Sequence, residues 1–218
     1  MPEQPIVIAH HIILTAYGCW LPNDPRGSRS TTVCTDVISE LGELHYGRKK
    51  VQPAGRDIRA FYGRAAQVLK HPLLDFPEPA RKVVAAAFAG AIEEQQYTCY
   101  ACAIMPDHVH ILIRKHKHLA EDMIEHLCQA SRDRLIAAGL RPLDHPTWNS
   151  GGGYKVFLED PDEIRRTIGY IERNPLPLRL PKQPWPFVKV YDGWPLHAGH
   201  SPNSPYAKRL RAAGKYPT

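Results

Sequence analysis

Residues 5–18, PIVIAHHIILTAYG, form an almost continuous apolar run rich in β-branched side chains, the pattern of a strand covered on both faces. Helical spacing takes over in 78–96, where Val83 or Val84, Ala87, Phe88, Ala91 and Ile92 line one stripe. YTCYACAI (97–104) and HVHILIRK (108–115) then form two strands joined by a tight turn at Met105, Pro106 and Asp107. A second amphipathic helix spans 119–138, with Leu119, Met123, Leu127 and Ala130 on one face and Gly139 as its stop signal. GYKVFLED adds a short fourth strand. In EDPDEIRRTIGYIERNP, Asp160 stands at an N-cap and Pro161 at the first helical position. Glu163 completes a capping box there, and Pro175 closes the helix.

The order β-α-β-β-α-β predicts an α+β fold, a ferredoxin-like split β-α-β with a central antiparallel sheet. One further helix and a Pro-rich basic tail follow. The 218 residues, 43% of them hydrophobic, suit a single substantial core. Residues 20–77 interrupt the pattern as a loop-rich insertion after the first strand, with turn signals at Pro22, Pro25 and Gly27 and one helix over 57–69. The division expected is therefore 1–176 as one domain carrying the insertion, and 177–218 as the tail, which should drape over the core.

In MPDHVHILI, His108 and His110 alternate with Val109, so both imidazoles share one face of the strand, while Val109, Ile111 and Ile113 share the other. One face is suited to chemistry and the other to packing. Of His10 and His11, only one can join the two imidazoles, in a positioning role or as a buried residue. On the last helix Ile164, Ile168 and Ile171 form the buried stripe, and Arg166, Tyr170, Arg173 and Asn174 lie toward another side. Tyr170 and Asn174 are four residues apart, so a phenol and a carboxamide are neighbours there.

Charge and cysteine usage narrow the partners and the compartment. A net charge of +6 favours an anionic partner. The five cysteines are odd in number and unevenly spread, which argues against a disulfide framework. Cys99 and Cys102 are expected on opposite faces of their strand, as small apolar residues. No apolar run reaches the roughly 18 residues of a membrane span, and the N-terminus lacks a basic-then-apolar signal, so a cytoplasmic protein is expected. Neither a Walker-type phosphate loop nor a G-x-S-x-G elbow occurs.

The strand MPDHVHILI, the stretch WNSGGGYKVFLEDPDEIRRTIGYIERNP and the opening strand together resemble the single-tyrosine HUH transposases, in particular the REP-associated tyrosine transposases. The likeness covers roughly 5–18 and 80–176. It implies Tyr170 as the nucleophile, and His108, His110 and Asn174 as ligands of a divalent metal ion, Mg²⁺ or Mn²⁺. Family members that carry glutamine at the position of Asn174 have a longer arm. The resemblance further implies a covalent 5′-phosphotyrosine intermediate, single-stranded DNA folded into a hairpin as substrate, no membrane partner, and a monomer or homodimer. Phosphate contacts are expected from Arg26, Arg29, Arg48, Lys49 and Lys50 in the insertion, from Arg166 and Arg173 on the last helix, and from the tail. Trp20, Trp148, Trp185 and Trp194 are candidates for base stacking.

Three other classes compete. A histidine-triad nucleotide hydrolase would need another histidine within 111–113. An amidohydrolase shares H-x-H but needs a barrel of about 250 residues. A catalytically inactive, domesticated hairpin-binding protein would keep the basic surface and lose Tyr170 or a histidine, and all three are present.

Overall fold

The computed structural model describes residues 6–28, 40–47, 49–149, 153–196 and 201–214. Four strands, β1 (Ala9–Thr15), β2 (Cys99–Ile104), β3 (His108–Arg114) and β4 (Tyr154–Leu158), form one antiparallel sheet in the order β2-β3-β1-β4. Helices α1 (Gly55–Val68), α2 (Glu78–Glu94), α3 (Ala120–Ala137), α4 (Pro161–Arg173) and α5 (Pro205–Ala212) complete the described elements, with a 3₁₀ turn at Leu176–Leu178. None of these helices is long and apolar enough to cross a membrane.

The sheet separates two cores. On one face Ile12, Leu14, Val109, Ile111 and Ile113 pack against Val84 and Phe88 of α2 and Met123 and Leu127 of α3. The other face packs Ala9, Ala101, Ala103, Leu112 and Leu158 against Ile164 and Ile171 of α4 and Tyr206 of α5. Helix α4 therefore covers the face that carries His108 and His110, and that face also contributes to packing through Leu112. Phe88 has no exposed surface. Phe88→Ala is expected to cost about 3–5 kcal/mol through lost burial and the cavity left behind, read as a lower urea midpoint at unchanged slope.

Local chemistry explains the helix ends. The Asp160 carboxylate accepts the Asp162 N–H at 2.6 Å, which caps α4. Glu163 does not close the expected capping box, because its carboxylate accepts the N–H of Glu159 at 3.1 Å, one residue earlier. Leu119 caps α3 and is exposed, so the buried stripe of that helix is Ala120, Met123, Ile124, Leu127, Ser131 and Leu135. Gly153 (φ +74°) opens β4 beside β1, where a Cβ would come 2.9 Å from the Ile13 carbonyl oxygen.

Cys99 and Cys102 enter the same core, contrary to simple alternation, because a bulge between Cys99 and Ala101 inserts a residue in register. Burial pushes the Cys99 thiol up to about 12 and the Cys102 thiol well above its ordinary value, in keeping with inert packing residues. The tail runs along the outer edge of β2. Lys189 N–H donates to Cys99 O at 2.8 Å, and the Gln183 carboxamide makes two bonds to the Ile104 backbone at 2.7 and 2.9 Å. It thus blunts an otherwise open edge.

Candidate functional site

Register assembles the site. β1 lies between β3 and β4, with Ile13 opposite His110 and Thr15 opposite His108, so the odd-numbered side chains of β1 share the face of the two histidines. His11 is the one that joins them. Its Nε2 lies 2.9 Å from Nδ1 of His110, with the rings 5.1 Å apart. His10 points to the opposite face against Phe157, its Nδ1 buried without a hydrogen-bond partner. Burial, and then Lys115, hold the His10 imidazole below its ordinary range.

Helix α4 brings Tyr170 onto this face. The phenol ring stands edge-on to His110 at 5.3 Å between centroids and to His11 at 6.2 Å, and it remains 46% exposed, so an incoming strand can reach it. A groove of about 290 Å³ opens beside it, lined by Leu158, Glu163, Arg166, Thr167 and Tyr170. Asn174, one turn on, is half-buried and caps the helix, and its Nδ2 is buried without a hydrogen-bond partner.

The two histidines of the motif are held alike. His108 donates Nδ1–H to Asp107 Oδ1 at 2.6 Å, and His110 presents Nδ1 to His11. In both, the described contacts leave Nε2 without a hydrogen bond. Burial, followed by the neighbouring His108 and His11, lowers the His110 pKa well below its ordinary value and keeps the ring neutral. Burial pushes the Asp107 carboxyl up, but the hydrogen bond from His108, the charges of His108 and Arg26 and the bond from Trp20 together hold it below the usual carboxylate range.

This donor set fits a divalent ion. A ligating histidine characteristically gives its other ring nitrogen to a carboxylate or similar partner, and Asp107 and His11 occupy those positions. Among the described residues no group of three or more His, Cys, Asp and Glu is arranged to hold a metal. The Asn174 carboxamide oxygen could serve as a third ligand, whereas its unpartnered buried atom is Nδ2, a donor that does not itself bind a cation.

The other expected contacts fall in three groups. Arg166 and Arg173 are exposed on α4, Arg166 in the groove beside Tyr170 and Arg173 folded back over Gly169. Lys49 and Lys50 are exposed on the insertion, while Arg29 and Arg48 lie outside the described residues. Arg26, expected as a phosphate contact, is instead engaged internally. It pairs with Asp24 at 2.7 Å, approaches Asp107 at 3.9 Å and lies 3.7 Å over the Trp20 ring.

The four tryptophans are half-buried, each with contacts inside the protein. Trp148 packs on Phe76 and donates to Ser131, Trp185 packs with Phe187, Trp194 lies under Arg114, and Trp20 donates to Asp107. His118 and His126 both place Nδ1 on the Tyr97 hydroxyl, at 2.9 and 2.7 Å. Sequence reading missed Asp107 and the settled role of His11. The signal for Asp107 was its place directly before His108.

No family model matches the chain, and no curated protein is similar to it. Solved structures similar to it include a REP-associated tyrosine transposase bound to a REP hairpin, 12% identical with a TM-score of 0.45, over 100% of this chain and 87% of that one. A candidate transposase from Deinococcus radiodurans is 13% identical with a TM-score of 0.38, over 79% of this chain and 95% of that one.

Proposed function

We propose that the chain is a single-tyrosine DNA endonuclease and strand transferase, a transposase of the REP-associated type on a ferredoxin-like split β-α-β frame, acting on hairpin-forming single-stranded DNA. The observation that carries this reading is the juxtaposition of the accessible Tyr170 phenol with His110 and His11, beside two imidazoles whose Nδ1 atoms are already committed.

The tyrosine oxygen attacks the scissile phosphorus. A bond forms between phosphorus and the Tyr170 oxygen as the phenol proton is released to solvent, the bond to the 3′-oxygen breaks, and that oxygen takes up a proton from solvent and leaves as a 3′-hydroxyl. The phosphodiester free energy is kept in the 5′-phosphotyrosine, so a 3′-hydroxyl of another strand can reverse the step without ATP. Arg166, in the same groove as Tyr170, is placed to hold a phosphate of the bound strand. Asp107 and His11 fix the orientation of His108 and His110. His108, His110 and Asn174 would hold a divalent cation, Mg²⁺ or Mn²⁺, which when bound offsets charge on the phosphate and orients it.

The test is a denaturing gel with labelled single-stranded hairpin DNA from the flanks of the gene. A covalent adduct that forms with Mg²⁺ or Mn²⁺ and disappears with EDTA is the expected result. Tight hairpin binding with no adduct under any metal would overturn this reading in favour of a DNA-binding protein without cleavage activity.

A further inference from the structure

The insertion between β1 and α2 holds a buried polar network that the reaction above does not use. Asp24 has no exposed side-chain surface. Its carboxylate receives the Arg26 guanidinium at 2.7 and 3.2 Å, the Arg26 N–H at 2.8 Å and the Tyr62 hydroxyl. That hydroxyl in turn accepts the Trp20 backbone N–H at 2.9 Å and Arg26 Nη2 at 2.7 Å. Every polar atom named is satisfied, which such a buried cluster requires.

The network ends at the site. The Trp20 indole N–H donates to Asp107 Oδ2 at 3.0 Å, while Asp107 Oδ1 accepts from His108. The Arg26 guanidinium lies 3.7 Å over the indole, and the His108 ring meets the indole edge-on at 5.7 Å. Trp20 holds a left-handed backbone (φ +52°), which disfavours a residue with a side chain and persists only where the surroundings enforce it. Asn149 supplies part of that enforcement, accepting Gly18 N–H at 2.8 Å and donating to Cys19 O.

We infer that the insertion is a positioning device for the first histidine of the motif: Asp24, Arg26 and Tyr62 lock Trp20, and Trp20 holds Asp107 in the orientation that fixes His108. Without the indole N–H, Asp107 Oδ2 loses its hydrogen bond and keeps only the longer approach of Arg26 at 3.9 Å, so the carboxylate is held less firmly about its last torsion. His108 then loses the partner that keeps its proton on Nδ1 and its Nε2 lone pair directed outward. This inference rests on the proposed function, and the residues named are positioning residues that need no contact with DNA.

Two readouts on the full chain test it. In the metal-free protein, long-range proton–nitrogen spectra of the imidazoles should show His108 as the Nδ1–H tautomer, and as a mixture in Trp20→Phe. With Mn²⁺ alone and no DNA, electron spin resonance of the free ion should show binding weakened about 10-fold or more in Trp20→Phe, and similarly in Tyr62→Phe. Unchanged thermal midpoints would separate positioning from unfolding. Tyr62→Phe leaves the indole in place, so it keeps the test open where Trp20→Phe does not fold.

An unaltered His108 tautomer together with unchanged Mn²⁺ affinity in folded variants would overturn the inference and leave the proposed function standing. Absence of adducts and of Mn²⁺ binding in the unmodified chain would instead overturn the proposed function.

Discussion

Tyr170→Phe is expected to abolish the covalent DNA adduct, by about three orders of magnitude or more, while leaving hairpin affinity within a few-fold of the unmodified chain. The substitution removes one oxygen and keeps the ring that packs edge-on against His110 and His11. Because the side chain is half exposed and makes no core contact that the hydroxyl serves, stability should hardly change. The comparison is made on one gel and one binding curve. Adducts that persist in the phenylalanine variant would remove Tyr170 from the role of nucleophile, and the other nine tyrosines would then have to be examined by mapping the adduct.

The elements were legible because their periodicities are strong. The apolar stripe of α2 and the alternation in β3 each specify which residues enter the core, and Val84, Phe88, Val109, Ile111 and Ile113 are all found there. The cap of α4 was legible too, since Asp-Pro before an amphipathic run has few other uses. Long-range register was not legible. Whether His10 or His11 joins the motif depends on how β1 aligns with β3 across nearly 100 residues, and a shift of one residue would exchange them.

The bulge in β2 escaped notice for a related reason. It is a property of two paired strands, and the sequence CYACAI alternates no differently with or without it. Arg26 shows a third limit. As a sequence feature it is one more cation in a basic segment, and its partners Asp24, Tyr62 and Asp107 become visible only when the insertion folds back onto the start of β3. The Ala16 N–H bond to Asp107 O at 2.9 Å, which joins the end of β1 to that start, brings them together.

His108→Ala and His110→Ala should each remove metal-dependent cleavage. Loss of one of two imidazole ligands forfeits several kcal/mol of charge stabilisation at the phosphate, or a fall of about 10³-fold or more. His11→Ala separates ligand from support. It deletes the partner of His110 Nδ1 and leaves both proposed ligands in place, so its loss should be smaller, about 10–100-fold, and partly recovered at high Mn²⁺. The ranking is the informative quantity, because all three side chains lie on one sheet face and two of them are buried to a similar degree. A purely structural role would make His11→Ala and His110→Ala equivalent in both stability and cleavage. Cleavage that stays unchanged in His108→Ala and His110→Ala would refute the ligand assignment outright, whereas equal losses in all three variants would make His11 as essential as the residues it supports.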